Sequence, residues 1–227
     1  EGYTEEPMHD APDLVIIGNA LSRGNPAVEY VLNNRLNFTS GPRWLGENYL
    51  RGRKVIAVAG THGKTTTSSM LAWILECAGL NPGFLIGGVP LDFNESAREG
   101  DEYFVVEADE YDRSFLHLSP EIAAITSTDA DHLDIYGSKE AIEESFAEFI
   151  GKLKGEGVLF IQKRVTPDVL SRLQKGVEVR PYGIDEGAFR AENMEIRDGA
   201  THFDIVVDDD ANEVANMVLQ MPGRHNA

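Results

Sequence analysis

The segment Gly60–Thr67 combines glycines, a lysine and hydroxyl side chains in an order that suits a phosphate chain. Glycines allow a tight turn that points backbone N–H groups inward, and a following helix adds free N–H groups and its positive end. Lys64 would place a positive charge on the β- and γ-phosphates, and the Thr65 hydroxyl could bind Mg²⁺. The pattern therefore predicts a nucleotide-binding loop. Its predicted binding residues are Gly60, Thr61, His62, Gly63, Lys64, Thr65 and Thr66.

This loop departs from the general phosphate-loop pattern at one place. The pattern reads Gly-x-x-x-x-Gly-Lys, and Val58 occupies the place of the first glycine. A glycine-rich turn with an exposed lysine is the alternative without function. However, the apolar strand predicted for Lys54–Ala59 and the amphipathic helix predicted for Lys64–Ala78 supply the context that a phosphate loop requires. We therefore favour nucleotide binding.

Two further polar segments follow apolar strands. Val105–Asp112 reads VVEADEYD, and Asp129–Asp134 places His132 among carboxylates. Ligands of open α/β sheets bind outside the carboxyl ends of the strands, where carboxylates suit Mg²⁺ held between protein and nucleotide oxygens. A histidine there could bind a metal or orient a group that does. Either segment alone could be a charged surface turn, but together with the loop they predict one site at one sheet edge.

The overall composition restricts the class of partner. The net charge of −18 disfavours a nucleic acid, because its phosphates are bound by Lys and Arg, whereas a local loop can still hold a nucleotide. No apolar run reaches the ~18–20 residues that cross a bilayer, so no membrane partner is expected. The single cysteine, Cys77, excludes an internal disulfide and suits a reducing cytoplasm. Its helical neighbours predict a buried thiol rather than a nucleophile.

Short apolar runs alternate with amphipathic stretches, which predicts βα units and a parallel sheet, hence an α/β fold. The predicted helices are Pro26–Leu32, Pro42–Leu50, Lys64–Ala78 and Lys139–Leu153. The strands predicted for the parallel part are Leu14–Ile17, Lys54–Ala59, Tyr103–Val106, Ile122–Ile125 and Gly157–Ile161. On the third helix, the apolar residues at helical spacing predict a buried face. They are Met70, Leu71, Ile74, Leu75 and Ala78.

The pattern changes from about Val177 onward, where strand-like segments are separated by glycine or acidic turns. This change predicts a small additional, mostly antiparallel sheet appended to the parallel core. The predicted strands are Val177–Tyr182, Ala191–Ile196, His202–Val207 and Val214–Met221.

Taken together, these motifs resemble the Mur ligase family. GTHGKTTT, EADEYD, the Asp131–Asp134 segment and the final MPGRHN stand in that family's order. The resemblance implies ATP and Mg²⁺ as cofactors of a parallel-sheet P-loop ATPase domain. It implies that Lys64 and Thr65 bind the phosphates and Mg²⁺, that Glu107 and His132 bind metal, and that His225 and Asn226 contact the nucleotide's base or ribose. Lys64, Glu107 and His132 are then the catalytic residues, and Thr65, Glu107 and His132 the metal ligands.

The resemblance also implies a domain arrangement. Residues 1–50 would be the end of a Rossmann-like UDP-sugar-binding domain, and residues 51–227 the central ATP-binding domain, incomplete at its end. The acceptor domain would be absent, so we expect a piece that binds ATP but does not complete ligation alone. Asn19 and Arg23 follow the first strand and are candidates for the UDP moiety. A loop with Asn25 capping a helix at Pro26 explains part of this segment equally well.

Two kinds of Mur ligase fit different parts of the chain. Val15–Pro90 resembles the ligases of peptidoglycan recycling, which join L-alanyl-γ-D-glutamyl-meso-diaminopimelate to UDP-N-acetylmuramate. Ser114–Gly137 resembles the ligases that add L-alanine to the same substrate. The longer stretch favours the recycling enzymes. These usually carry a longer segment after EADEYD, and that segment is missing here. The implied reaction passes through an acyl phosphate.

Three other classes are weighed against this interpretation. A small-molecule kinase would share the loop but not EADEYD or the terminal PGRHN. A nucleotide-binding module without catalysis would bind ATP and not hydrolyse it. Folylpolyglutamate synthetase has a similar fold, but the segment before residue 50 argues against it.

Overall fold

The computed structural model describes residues 4–10, 12–18, 21–129, 136–208 and 212–223. The chain divides into two compact units, residues 1–52 and residues 53–227. No helix in the described ranges is long and apolar enough to span a bilayer.

The first unit is a small α/β unit around two parallel strands, β1 (Val15–Ile17) and β2 (Phe38–Ser40). Between them lies helix α1 (Pro26–Asn33). The predicted cap of α1 is confirmed: the Asn25 side chain accepts hydrogen bonds from the N–H groups of the first turn, and Pro26 occupies a position where no helical N–H is needed. A short helix, α2 (Gly41–Trp44), follows β2 and continues into a π-helical turn, residues 45–49.

The second unit is built on one sheet of ten strands in the order β12-β11-β10-β9-β8-β7-β3-β6-β4-β5. The strands are β3 (Lys54–Ala59), β4 (Gly83–Leu85), β5 (Ala97–Arg98), β6 (Tyr103–Ala108), β7 (Ile122–Ile125), β8 (Val158–Gln162), β9 (Glu178–Ile184), β10 (Phe189–Arg197), β11 (Ala200–Val207) and β12 (Asn212–Leu219). The central pairs from β4 to β9 are parallel, apart from the short strand β5 at the edge.

The antiparallel strands predicted after Val177 are present, and they continue the parallel sheet. Strand β9 pairs parallel with both β8 and β10, and β10, β11 and β12 then pair antiparallel. Residues of β9 therefore join the two parts through backbone hydrogen bonds, and the Tyr182 hydroxyl donates to the carbonyl of Ile125 at the end of β7.

The core lies around the central strands and two helices. Strand β3 is buried from Val55 to Ala59, as its apolar sequence predicts for a strand covered on both faces. Helix α3 (Lys64–Cys77) follows it, and helix α4 (Lys139–Ile150) follows β7. Helix α4 packs against the 3-10 helix Tyr111–His117 through stacked and edge-on phenylalanine rings. These rings belong to Phe115, Phe146 and Phe149.

Two details of α3 differ from the sequence prediction. Cys77 is exposed at the end of the helix, so the prediction of a buried thiol is wrong. The fully buried positions of α3 are the small residues Ser68 and Ala72, whereas Ile74 is 60% exposed. Small side chains let this helix approach the sheet closely, so its buried face is centred on them rather than on the apolar residues at helical spacing. Leu71 and Leu75 pack at the margin of that contact.

Candidate nucleotide-binding site

The predicted phosphate loop lies where the sequence places it, between the end of β3 and the first residue of α3. Gly60 has φ +138°, and a Cβ there would lie 2.1 Å from Thr126 Oγ1 and 2.9 Å from the backbone nitrogen of Ser127. Only glycine fits this close approach. Val58 is a fully buried β3 residue paired with Glu107 of β6. The turn therefore begins at Gly60, which explains why no glycine is needed at position 58.

Hydrogen bonds fix the loop to the segment that follows β7. The backbone N–H of Thr61 donates to the carbonyl of Ser127 at 3.1 Å, and the two hydroxyl groups of these residues are 2.8 Å apart. The N–H of His62 donates to Ser127 Oγ at 3.0 Å, and the N–H of Asp129 donates to Thr61 Oγ1 at 3.1 Å. The first half of the loop is thus held rigidly at the carboxyl edge of the sheet, where ligands of α/β folds bind.

The second half of the loop leaves backbone donors outside the helical ladder. Gly63 has φ +80°, and a Cβ added there would meet no atom within 4 Å, so the space beside it is open. The helical bonds begin with the N–H of Thr67, which donates to the carbonyl of Gly63. The N–H groups of Lys64, Thr65 and Thr66 precede this bond, so they are the groups that a helix start offers to an anion.

Lys64 is held between the loop backbone and an acidic side chain. Its Nζ donates to the Gly60 carbonyl at 2.9 Å and to Glu110 Oε2 at 2.7 Å. Asp109 Oδ1 lies 3.8 Å from the same nitrogen. The Lys64 side chain is 12% exposed and that of Glu110 is 1% exposed. The ammonium group is therefore fixed at the loop by a buried ion pair.

Thr65 and Glu107 meet beside the loop. Thr65 Oγ1 donates to Glu107 Oε1 at 2.9 Å, and the backbone N–H of Gly87 donates to Glu107 Oε2 at 2.7 Å. Both carboxylate oxygens are thus oriented, one towards the helix start and one towards the loop after β4. A Cβ at Gly87 would lie 3.1 Å from Glu107 Oε2, so a larger residue there would require the carboxylate to shift by a few tenths of an ångström.

The hydroxyl of Thr65 and the carboxylate of Glu107 are hard oxygen donors of the kind that Mg²⁺ prefers. The described part of the chain contains no group of three or more His, Cys, Asp or Glu residues arranged for a metal ion. Mg²⁺ in phosphate sites keeps several waters and takes few protein ligands beside the phosphates. The residues present therefore fit Mg²⁺ bound together with a nucleotide.

Tyr136 supports the acidic segment from the side. Its hydroxyl donates to the backbone carbonyl of Glu110 and lies 3.5 Å from Ser145 Oγ of α4. Burial raises the pKa of Tyr136, so the phenol stays protonated and keeps its donated hydrogen bond at neutral pH.

The structure brings together most, but not all, of the predicted site residues. The loop residues and Glu107 form one cluster in the second unit. Arg23 lies in the first unit, where it forms an ion pair with Glu29 at 2.7 Å and is 77% exposed. The other predicted residues lie outside the described ranges: Asn19, His132, His225 and Asn226.

Three contributors to the site were missed by sequence reasoning. Glu110 stands in the same EADEYD motif as Glu107, but spacing alone does not tell which of its carboxylates turns towards Lys64. Ser127 lies in the polar stretch after β7 and resembles an ordinary strand-end residue. Gly87 could have been suspected from the Gly87-Gly88 pair, since consecutive glycines often mark a close backbone approach.

Comparison with known proteins identifies the family of this chain. Residues 58–227 match the family described as the Mur ligase middle domain. The chain belongs to the Mur ligase family. This match includes the loop residues, Glu107 and Glu110, so the cluster described above is a part of the Mur ligase fold.

Two curated relatives carry the two names that the sequence motifs suggested. The UDP-N-acetylmuramate–L-alanyl-γ-D-glutamyl-meso-2,6-diaminoheptandioate ligase of Haemophilus influenzae is 48% identical over 165 residues, which cover 69% of this chain and 36% of that protein. The UDP-N-acetylmuramate–L-alanine ligase of Rhizorhabdus wittichii is 37% identical over 232 residues, which cover 99% of this chain and 48% of that protein. The chain thus spans about half or less of the length of these relatives.

A solved Mur ligase structure matches the whole chain. The UDP-N-acetylmuramate:L-alanyl-γ-D-glutamyl-meso-diaminopimelate ligase from Neisseria meningitides superposes with a TM-score of 0.87 at 36% identity, over 100% of this chain and 74% of that one. The α/β fold with a large, mostly parallel sheet is therefore confirmed.

Proposed function

We propose that this chain is the ATP-binding part of a ligase that joins the carboxylate of UDP-N-acetylmuramate to an amine. The observation that carries the proposal is the cluster of Lys64, Thr65 and Glu107 on a phosphate loop at the carboxyl edge of the sheet. Such a cluster suits a nucleoside triphosphate, and Mur ligase membership supports the choice of reaction. ATP and Mg²⁺ are the cofactors of this proposal.

The loop residues bind and orient the triphosphate. The N–H groups at the start of α3 would hold its oxygens, and the Lys64 ammonium would stabilise the negative charge that develops as the γ-phosphoryl group moves to the substrate carboxylate. Mg²⁺, when bound, would neutralise phosphate charge. Thr65 and Glu107 are the residues that would hold it, with His132 as a further proposed ligand. The incoming amine would then attack the carbonyl carbon of the resulting acyl phosphate, which forms the amide bond and releases inorganic phosphate.

The peptide L-alanyl-γ-D-glutamyl-meso-diaminopimelate is our preferred amine substrate. Its support is the 48% identity to the H. influenzae ligase and the superposition of 100% of this chain on 74% of the N. meningitides structure. The enzyme would then act in peptidoglycan recycling. L-Alanine is the second candidate, because relatives named as L-alanine ligases align along 96–100% of the chain, whereas the H. influenzae match covers 69%.

The remaining sequence predictions are part of this proposal. His225 and Asn226 would contact the base or ribose of ATP. Asn19 and Arg23 would contact the UDP moiety, with the first unit as part of the UDP-sugar-binding domain. A cytoplasmic location follows from the substrates, which are a nucleotide sugar and ATP.

A competition assay tests the acceptor. Enzyme containing this chain is incubated with ATP, Mg²⁺ and UDP-N-acetylmuramate, together with equal concentrations of the tripeptide and L-alanine, and the products are identified by mass spectrometry. We expect the tripeptide adduct to dominate. A product carrying only L-alanine would favour the second candidate. ATP binding without any ligated product in an enzyme with all its domains would contradict the ligase proposal.

A further inference from the structure

The ion pair between Lys64 and Glu110 is largely buried. The carboxylate of Glu110 is 1% exposed and accepts from Lys64 Nζ at 2.7 Å. The same nitrogen donates to the carbonyl of Gly60 at 2.9 Å. The ammonium is thus tied both to the loop and to a buried acid.

Glu110 is itself fixed by its surroundings. Its backbone carbonyl accepts from the N–H of Arg113 at 2.9 Å and from the hydroxyl of Tyr136. Phe115 is fully buried, and its backbone N–H donates to the carbonyl of Asp109 at 3.1 Å. The carboxylate therefore stands on a rigid turn rather than on a mobile surface loop.

The geometry leaves one direction for a ligand. A lysine ammonium has three N–H donors and no acceptor, and two of them are used by Gly60 and Glu110. If Lys64 moved entirely to a phosphate, the buried carboxylate of Glu110 would lose the ammonium that it contacts, and breaking a buried pair in this way is strongly unfavourable. The third N–H would be the donor for a phosphate oxygen without that loss.

We propose that Glu110 is a positioning residue that keeps its contact with Lys64 when the nucleotide binds, and so aims the remaining N–H of the ammonium at the phosphates. The inference rests on the proposed nucleotide site and adds to it a residue that does not itself touch the nucleotide. Glu110 is therefore not a competitor of the phosphates, because Lys64 does not have to leave Glu110 when the nucleotide binds.

This arrangement has an electrostatic consequence. Asp109 and Glu110 bring two carboxylates to the ammonium of Lys64, and the carboxylate of Glu107 lies beside the neighbouring Thr65. The local charge is therefore negative although the loop binds an anion. A nucleotide without its metal ion should be repelled, and neutralising Glu110 should reduce that repulsion.

Titration calorimetry with a β,γ-imido analogue of ATP tests the electrostatic consequence. The chain, Glu110→Gln and Glu102→Gln are each titrated with excess Mg²⁺ and with EDTA. Glu102 forms an exposed ion pair with Lys54 at the opposite end of β3, so its variant changes the net charge equally and leaves the site intact. In EDTA, we expect Glu110→Gln to bind the analogue about fivefold tighter than the unchanged protein. This factor is a Coulomb estimate of the repulsion between the carboxylate and the phosphates, reduced by screening from salt. Glu102→Gln should bind like the unchanged protein.

A tighter complex in EDTA is a readout that a purely structural role for Glu110 would not give. Equal affinities of Glu110→Gln and Glu102→Gln in EDTA would overturn the electrostatic part of the inference, while the nucleotide site would stand as long as the unchanged protein binds the analogue with Mg²⁺. Absence of that binding would instead overturn the proposed function, and this inference with it.

A crystal structure of the unchanged protein with Mg²⁺ and the analogue tests the geometry without a variant. We expect Lys64 Nζ to stay within hydrogen-bonding distance of Glu110 while it contacts a phosphate oxygen. An ammonium that has left Glu110 in that complex would overturn the proposal, whatever the folding of Glu110→Gln.

Discussion

Thr65 Oγ1 donates a 2.9 Å hydrogen bond to Glu107 Oε1, which connects the first turn of α3 to the end of strand β6. The two residues are far apart in sequence, and the parallel pairing of β3 with β6 brings them to the same sheet edge. The N–H of Gly87 orients the other carboxylate oxygen. The place proposed for Mg²⁺ is thus built from the start of α3, the loop after β4 and the end of β6.

Replacing Glu107 with Gln should weaken Mg²⁺ binding more than nucleotide binding, because an amide oxygen lacks the negative charge that a divalent cation prefers. We expect the Mg²⁺ concentration at half-saturation, measured with a fixed concentration of ATP analogue, to rise at least about tenfold, or ~1.4 kcal/mol. Thr65→Val should shift the curve in the same direction, and Thr65→Ser, which keeps the hydroxyl, should shift it much less. Unchanged Mg²⁺ curves for Glu107→Gln would exclude Glu107 as a ligand.

Gly60→Ala should strongly destabilise the second unit. The new Cβ would be forced against Thr126 Oγ1 and the Ser127 backbone, with φ at +138°, and we expect a loss of about 3 kcal/mol or more in the free energy of unfolding. Gly79→Ala is the matched control, because Gly79 has φ +75° and open space around its Cβ position. It should lose only about 1 kcal/mol, the cost of a left-handed alanine. Urea unfolding measures both, and equal losses would show that the predicted clash does not exist.

Stability should fall in strongly alkaline solution through Tyr182. Burial raises the pKa of Tyr182 to about 12, above its unfolded value of about 10. Its contribution to stability is therefore fully present below pH ~10 and is lost as pH rises through about 12, at up to ~1.4 kcal/mol per pH unit.

Tyr182→Phe separates this effect from the titration of other groups. The difference in unfolding free energy between the unchanged protein and Tyr182→Phe should shrink between pH 10 and 12, since phenylalanine does not ionise. Urea unfolding at pH 8 and pH 11 provides the comparison. A difference that stays constant with pH would contradict the burial of the Tyr182 phenol.

Much of the site could be predicted from the sequence because its parts are local. The loop, the strand β3 before it and the helix α3 after it are specified by neighbouring residues, and β3 has the predicted bounds of Lys54–Ala59. The alternation of strands and helices likewise predicted the parallel sheet, since that alternation reflects the burial of both sheet faces.

What the sequence did not reveal depends on long-range contacts. Strands β4 and β5 are too short to give a pattern; β4 pairs along the edge of β6, and β5 pairs in turn with β4. The burial of Ala72 instead of Ile74 depends on how closely α3 approaches the sheet. The pairing of Lys64 with Glu110 across 46 residues depends on a turn whose direction no spacing rule specifies.

The most direct test of the account is calorimetric titration of this chain with the β,γ-imido analogue of ATP, with and without Mg²⁺. The comparison variant combines Lys64→Gln with Glu110→Gln, which removes the ammonium without leaving an unpaired buried carboxylate, as Lys64→Ala alone would. We predict Mg²⁺-dependent binding by the unchanged chain and at least about a hundredfold weaker binding, or ~3 kcal/mol, by the double variant with unaltered thermal unfolding. Equal binding by both proteins would contradict the assignment of Gly60–Thr67 as the nucleotide site.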